Sequence, residues 1–573
     1  MIRSTLSSFK LAFVWLTAAS LVGCASQSAT SSRGASSGST ADGPAAVAAP
    51  KKITAAIMGN PSTPFRQMSG GVTGLIPGGD GLEQLTLSGL TIRDGDGALR
   101  PLLGEAVPTI ENGLWKLLPE GRMETTWRIR TDASWHDGTP LTTQDLTFTA
   151  DLRQDRDLPW SPWPGIELVE RIDVPDALTA VVTWKQPFIW ADDLFSYPVL
   201  PKHLLEKAYA DDRVGFQAIS YWDQDFVGTG PYRVKDWARD SHVVLTAYDR
   251  YGPGRPKIDE ILLKFIPDEN AFIANILANA VEITVGKSIT LEQTLQVRDQ
   301  WKDGRMAANL ETAMKLWPQL LNPNPTVVQD LRFRKAIVHA IDRQALVDSL
   351  TGGFSQIAHT ILLPEEPEFS QVQNAIVRYE YDPRRASDMI QALGFSKGAD
   401  GMFRDASGQT LSMEINATGE DQNTKPMFAV ADNLQRVGVG IETLIIPIQR
   451  QRDREYRATF PAFSLSGGPS GVPALIGLHS SQARLPVNSY IGNNYSRYIV
   501  PEFDSLIDRF HSTIPQQERM EALRGVVGHM TENLNMINLH YAASTSMINN
   551  RLTNIGKGRN PTWNAHEWDI AKG

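Results

Sequence analysis

Apolar and polar positions alternate strictly through Thr125-Thr126-Trp127-Arg128-Ile129-Arg130, the pattern of a half-buried strand. Runs at Lys51–Gly59, Val174–Thr183, Ile258–Ile266, Leu411–Ala417, Val439–Ile446 and Leu539–Ile548 read as further strands. A strand is also expected over Leu85–Ile92, behind a glycine-rich loop at Gly70–Gly81. Helical spacing takes over at Phe333, Ile337, Ala340 and Ile341, with Asp330 placed to cap the helix and Gly352-Gly353 to end the element. It recurs at Ala386, Met389, Ile390 and Leu393, between Asp382-Pro383 at the start and Gly394 at the end. Other helices are expected at Ala271–Ala280, Met427–Val437, Pro501–Arg509 and Gln516–Asn533.

Two stretches combine these signals with special backbone residues. Ser134–Phe148 reads as strand, tight turn and capped helix. Asp137-Gly138 makes the turn, Pro140 keeps Thr139 extended, Thr142 caps, and Asp145 faces the positive end of the helix. Val227-Gly228-Thr229-Gly230-Pro231-Tyr232-Arg233-Val234 reads as a tight turn into a strand. It is not a phosphate loop, because a third glycine is missing and Pro231 breaks any following helix. Gly286-Lys287-Ser288 fails as a nucleotide motif in the same way, with Val281 where a glycine is required.

Together with Asp330–Arg343 and Tyr381–Phe395, these two stretches resemble, in the same order, the signatures of the peptide/nickel-type (family 5) solute-binding proteins of ABC transporters. The resemblance spans essentially the whole mature chain. It implies an α/β fold of the periplasmic binding protein-like type II class: two α/β lobes, a two-strand hinge (a Venus flytrap) and an extra subdomain in the first lobe. By that pattern lobe I comprises 51–93, an inserted subdomain at 94–225, then 226–316 and 543–573. Lobe II is 317–542, with crossovers near Lys315–Asn322 and Leu539–Ser546. Two short hinge segments let such lobes close on a ligand as near-rigid bodies.

The amino terminus reads as an address. Arg3 and Lys10 precede the apolar run Leu11–Leu21, which is too short to span a bilayer, for which about 20 residues are needed. Leu21-Val22-Gly23-Cys24 resembles a bacterial lipobox and holds the protein's single cysteine. The expectation is a lipoprotein signal peptide at 1–23, a lipid on Cys24 and a flexible Ser/Ala/Gly/Thr tether over 24–50. Such a protein works in the bacterial cell envelope, in the periplasmic space, anchored to either the inner or the outer membrane.

Composition narrows the function further. A net charge of −9 without a long basic run argues against nucleic acid or an anionic membrane surface as partner. No His-Glu-x-x-His occurs, and the 10 histidines form no metal-ligand pair on one helix. No enzyme activity, metal or cofactor is expected. The resemblance implies instead a receptor that captures an oligopeptide or related small ligand between its lobes and passes it to the transmembrane subunits of an ABC permease. A stand-alone ligand sensor or envelope binding protein is the alternative.

The resemblance implies that the end of the first strand and the loop after it line the ligand site, which makes Met58 and Asn60 candidates, together with Trp317 beside the first crossover, Arg450 and Arg452, and Ser466, Gly467 and Gly468. In peptide-binding members an aspartate in the segment equivalent to Phe463–Gly471 pairs with the peptide's amino group. Here that segment carries no acid and no tryptophan. A buried ammonium needs an opposite charge, so a modified or blocked peptide, a sugar or an anionic metabolite remains open alongside an ordinary peptide.

Overall fold

The computed structural model describes residues 49–571, apart from 70–75, 156, 159, 161–162, 287–288 and 559. The expected signal peptide, Cys24 and the tether up to residue 48 lie outside the described residues. Among the described residues no helix is long and apolar enough to cross a membrane.

The apolar runs assemble into one sheet. Its strands are β1 (Lys52–Ile57), β2 (Tyr232–Ala238), β3 (His242–Ala247), β4 (Glu260–Phe265), β5 (Ile283–Thr284), β6 (Gly304–Pro318), β7 (Ser412–Ala417), β8 (Gly440–Ile445), β9 (Phe463–Gly468) and β10 (Ile537–Asn549). Their order is β8-β7-β9-β6-β10-β5-β1-β4-β3-β2. The two long strands, β6 and β10, pair antiparallel from Gly304↔Asn549 to Leu316↔Ile537. Register shifts at Leu310/Thr312 and Met314/Lys315 interrupt the pairing, and such bulges bend and twist a strand locally. β9 pairs only with Ala313–Pro318 of β6, and β5 only with Ile548 at the far end of β10. Two smaller sheets are thus joined through one strand pair. The first of these strands starts at Gly304, well upstream of the crossover expected at 315–322.

Each half has its own core. Ile53, Leu245, Ile261, Leu263 and Trp568 fill one, and Leu316, Phe333, Ile337, Ile390, Ile415 and Leu434 the other. The caps are as the sequence suggests. Asp330 accepts from Arg332 N at 2.8 Å, Asp382 from Arg385 N at 2.9 Å, and Gly352 ends the helix Arg343–Thr351 at φ 55°.

The region Leu85–Ile92 departs from expectation. Gly79–Thr86 is a helix, and only Thr91–Arg93 is extended. Gly78, at φ 85°, turns the chain into that helix, and Leu82 and Leu85, three apart, bury one face of it. The helix expected at Met427–Val437 starts earlier, at Asp421.

A separate four-stranded antiparallel sheet runs Trp115–Leu117, Met123–Arg128, Thr179–Trp184, Val169–Asp173. Trp127, Trp135, Trp163, Trp184 and Phe195 pack its core. Asp145, almost fully buried, accepts from Thr142 N and Lys202 N, each at 2.9 Å, so one carboxylate holds the start of two helices.

The glycine turn at 228–230 and the Ser134–Phe148 stretch meet. The His136 ring accepts from Gly228 N at 3.2 Å through Nδ1, and its Nε2 donates to Gly230 O at 2.9 Å. His136 N donates to Gly228 O at 2.9 Å, and Gly230 N donates to Thr86 O at 2.9 Å. The Gly-Thr-Gly backbone is therefore wedged between the end of one helix and a buried histidine. That close approach, rather than ligand contact, explains its glycines.

Candidate functional site: the strand ends at the crossing pair

Strand direction locates the site. β1, β4 and β5 run parallel, as do β7, β8 and β9. β5 is antiparallel to β10, and β9 is antiparallel to β6. The carboxyl ends of both sets therefore point toward the middle of the β6–β10 pair, from opposite sides. Ligands of open α/β sheets bind at such carboxyl ends, where loops leave the strands and side chains converge.

On one side Met58, Gly59 and Asn60 follow β1. Met58 is half-buried against the apolar cluster that contains Phe272, Ile276 and Trp301, and exposed Asn60 donates to Asp240 Oδ1 at 2.6 Å. On the other side Thr418–Glu420 follow β7, and the turn Ile448–Arg450 follows β8. Arg450 pairs with Asp453 at 3.2 Å and lies 4.3 Å from the Tyr456 ring centroid, while Arg452 is exposed. Neither arginine joins the wall built by β6 and β9.

That wall brings Trp317, Ser466 and Gly468 together, while Gly467, opposite Met314, turns to the other face. Alternation along β6 puts Ala313, Lys315 and Trp317 on one face, opposite Gly468, Ser466 and Ser464 of β9. Trp317 Nε1 donates to Ser466 Oγ at 3.1 Å. A Cβ on Gly468 would sit 3.1 Å from the Trp317 ring and 3.2 Å from Lys315 Nζ, so the two side chains close over this glycine.

Lys315 is a residue the sequence reading missed. It is fully buried, and its ammonium donates to Gly468 O and Pro469 O at 2.8 Å each and to Ser470 Oγ at 3.3 Å. All three protons find neutral oxygen acceptors, and no carboxylate pairs with it among the described residues. Burial pushes its pKa down to about 7. Nearby, Glu366 accepts from Leu363 N and Val472 N, each at 2.8 Å, and pins the loop after β9. Burial outweighs these two bonds and pushes its pKa up to about 7.

Trp317 also belongs to a stack. The Tyr495 ring lies 4.9 Å from it at an interplanar angle of 23°. The Arg484 guanidinium sits 3.5 Å from the Tyr495 ring centroid and donates from Nε to Gly492 O at 2.8 Å. Lys315 Nζ lies 5.5 Å from the Trp317 ring. Cation, two rings and cation follow one another, each in the range of favourable stacking or cation–π contact. The only sequence signal was a lysine inside the run Ala313-Met314-Lys315-Leu316-Trp317, which reads equally as a strand whose lysine reaches solvent.

A cavity of about 730 Å³ lies elsewhere, beside Asp94, Arg100, Arg255, Lys257, Lys557 and His566. Arg100 there is tied to Asp94, and Arg255 to Asp249 and Asp259. Among the described residues no group of three or more His, Cys, Asp or Glu could hold a metal ion.

Residues 115–482 match the family described as bacterial extracellular solute-binding proteins, family 5 Middle. The chain belongs to this family. Its members are solute-binding proteins and not enzymes. A Brucella ovis protein named for ABC transporter peptide binding is 28% identical over 273 residues, covering 46% of this chain and 48% of that protein. The match thus spans about half the length of that curated relative. The oligopeptide-binding protein AppA of Bacillus subtilis is 22% identical over 509 residues, 86% of this chain and 87% of its own. Among solved structures, NikZ of Campylobacter jejuni, in complex with Ni(L-His), superposes with a TM-score of 0.71 at 21% identity, over 90% of this chain and 99% of that one. These likenesses establish the type II binding-protein fold, with mixed α/β content.

Proposed function

We propose that this protein is the extracytoplasmic solute receptor of an ABC importer. Its two halves form lobes that close on an oligopeptide or related small ligand at the β6–β10 crossing and deliver it to a membrane permease. The observation that carries this reading is the convergence of two sets of strand carboxyl ends on one long antiparallel pair. A strand pair is the narrowest link two sheets can share, and bulges inside it let the sheets reorient without breaking either core. A ligand bound between the lobes favours the closed arrangement by its higher affinity for it.

Native mass spectrometry of the untagged mature protein, fresh from its own cells, tests the reading. The expected result is one retained small solute per chain, released on denaturation. A solute that leaves chemically altered would instead indicate catalysis and overturn it. A ligand present at 100 times its Kd should stabilise the fold by about 2.7 kcal/mol.

The chain is held at the membrane by a lipid on Cys24, with the segment up to residue 50 as tether. A Ser/Ala/Gly-rich coil of that length reaches roughly 30 Å, enough for a folded body to move freely above the bilayer. Cys24→Ser should move the protein from the membrane fraction to the soluble envelope fraction; continued partitioning with membranes would contradict the anchor.

A further inference from the structure

The charge along the wall of this site is one-sided. The stretch Phe463–Val472 contains no acidic residue, and the carbonyls of Gly468 and Pro469 at its end enclose the ammonium of Lys315. At the other end of the stack, the charged or ionisable groups that act on Arg484 are the Tyr495 phenol and a second cation, Arg457. Among the described residues neither Lys315 nor Arg484 has a carboxylate within ion-pair distance. The carboxylates nearest this wall are engaged elsewhere: Asp453 pairs with Arg450 at 3.2 Å, and Glu455 accepts from Tyr490 Oη at 2.8 Å. Glu366 is bound to two backbone N–H groups, and Glu420 receives Asn423 Nδ2 at 3.2 Å.

A buried cation without a counter-charge is costly, because low-dielectric surroundings replace its hydration and attract nothing in return. The effect is visible in the depressed pKa of Lys315. An anion brought to the same wall recovers part of that cost, and the attraction is stronger there than in water. A free amine brought to it meets like charge at both ends of the stack.

We propose that the Lys315–Trp317–Tyr495–Arg484 stack selects a solute bearing an anionic oxygen group, a carboxylate or a phosphate, and rejects one presented by a free ammonium. The inference rests on the solute-receptor reading above and deepens it. Lys315, with its protons already used, acts through its field. Arg484, half-buried at the outer end, supplies a planar fork suited to two oxygens. The Trp317 and Tyr495 rings lie between the two cations, with Trp317 fixed by its bond to Ser466 Oγ.

Thermal shift and titration calorimetry on the mature protein test this with four probes: citrate, glucose 6-phosphate, trialanine and maltose. Stabilisation by citrate alone identifies a carboxylate, and by glucose 6-phosphate alone a phosphate. In Arg484→Gln the affinity for the stabilising anion should fall at least tenfold, with the unliganded melting temperature little changed. Lys315→Met should weaken the same anion; if that variant fails to fold, Arg484→Gln alone decides. Stabilisation by trialanine or maltose but by neither anion overturns the inference and leaves the solute-receptor reading standing. So does an anion affinity that Arg484→Gln leaves unchanged. No stabilisation by any probe overturns it as well. The receptor reading itself falls only if, in addition, the freshly isolated protein retains no solute.

Discussion

Gly228→Ala should cost about 3 kcal/mol of stability or more, at the upper end of what overpacking does to a protein. A Cβ at this position would lie 1.9 Å from Thr86 O and 3.0 Å from Thr86 C. Both are backbone atoms at the end of the helix Gly79–Thr86, so no side chain can swing aside. Nor can the turn retreat. On its other flank Gly228 N and Gly228 O are both bonded to His136, and Thr229 Oγ accepts from Ser88 N at 3.0 Å while donating to Ser88 O at 3.1 Å. Relief requires pulling the turn off either the helix or the histidine, and each route leaves buried polar groups without partners. A helix-interior glycine supplies the contrast. Gly528, within the helix Gln516–Asn533, has 3.7 Å to its nearest neighbour, Ala375 O. Gly528→Ala should be neutral or stabilising by up to about 1 kcal/mol, because alanine loses less backbone entropy in a helix. Urea unfolding of both variants beside the parent chain checks the pair. Equal midpoints for Gly228→Ala and the parent would mean that the junction yields more easily than its bonds suggest.

The same junction shows where sequence reading stops. Asp330, Asp382 and Asp145 were legible because a cap acts within three or four residues of itself, and each does what its position suggests. The buried stripes of Phe333–Ile341 and Ala386–Ile390 were legible for a similar reason, since period alone decides which side faces a core. The reason for the two glycines in Gly228-Thr229-Gly230 was not legible. It lies in Thr86 and His136, both far off in the chain. The helix at Gly79–Thr86 was hidden by its glycines, which read as loop although burial of Leu82 and Leu85 overrides their poor propensity. The first half of β6 was hidden because Met306–Thr312 is half-buried throughout and lacks the alternation of a one-sided strand. Trp317 and Ser466–Gly468 were singled out by the family resemblance, which supplies the segment they lie in. Lys315 was not, because its burial is decided by the approach of β9 across the strand and not by any residue beside it.

Buried histidines should withdraw stability from the protein as pH falls from 6.5 to 4. Burial pushes His136 down to about 4. The nearby charge of Arg233 acts in the same direction, and the bond to Gly230 O and the charge of Asp137 act against it. Only the neutral ring suits this place, because Nδ1 must accept from Gly228 N while Nε2 donates. His511 is likewise held at about 4 by burial, with His479 as a further positive neighbour, and neither of its ring nitrogens has a partner. His359 shifts the same way but is more exposed. In the unfolded chain each histidine titrates near about 6.5. Between that value and the folded one the unfolded state binds more protons, so stability falls as pH falls, by about 1.4 kcal/mol per pH unit for each histidine. His136 and His511 together amount to about 4 kcal/mol by pH 5 and about 6 kcal/mol by pH 4, a large share of the 5–15 kcal/mol typical of a folded protein. Above pH 6.5 these groups contribute no slope. Glu366 and Asp192, pushed up to about 7 by burial, oppose this fall over the same window, so the histidine contribution is read from melting temperatures of variant and parent recorded side by side from pH 7.5 to 4. His136→Gln, whose amide can both accept from Gly228 N and donate to Gly230 O without titrating, should remove about one proton from the slope at whatever cost to the plateau. A His136→Gln profile running parallel to that of the parent chain would place the acid sensitivity outside this junction.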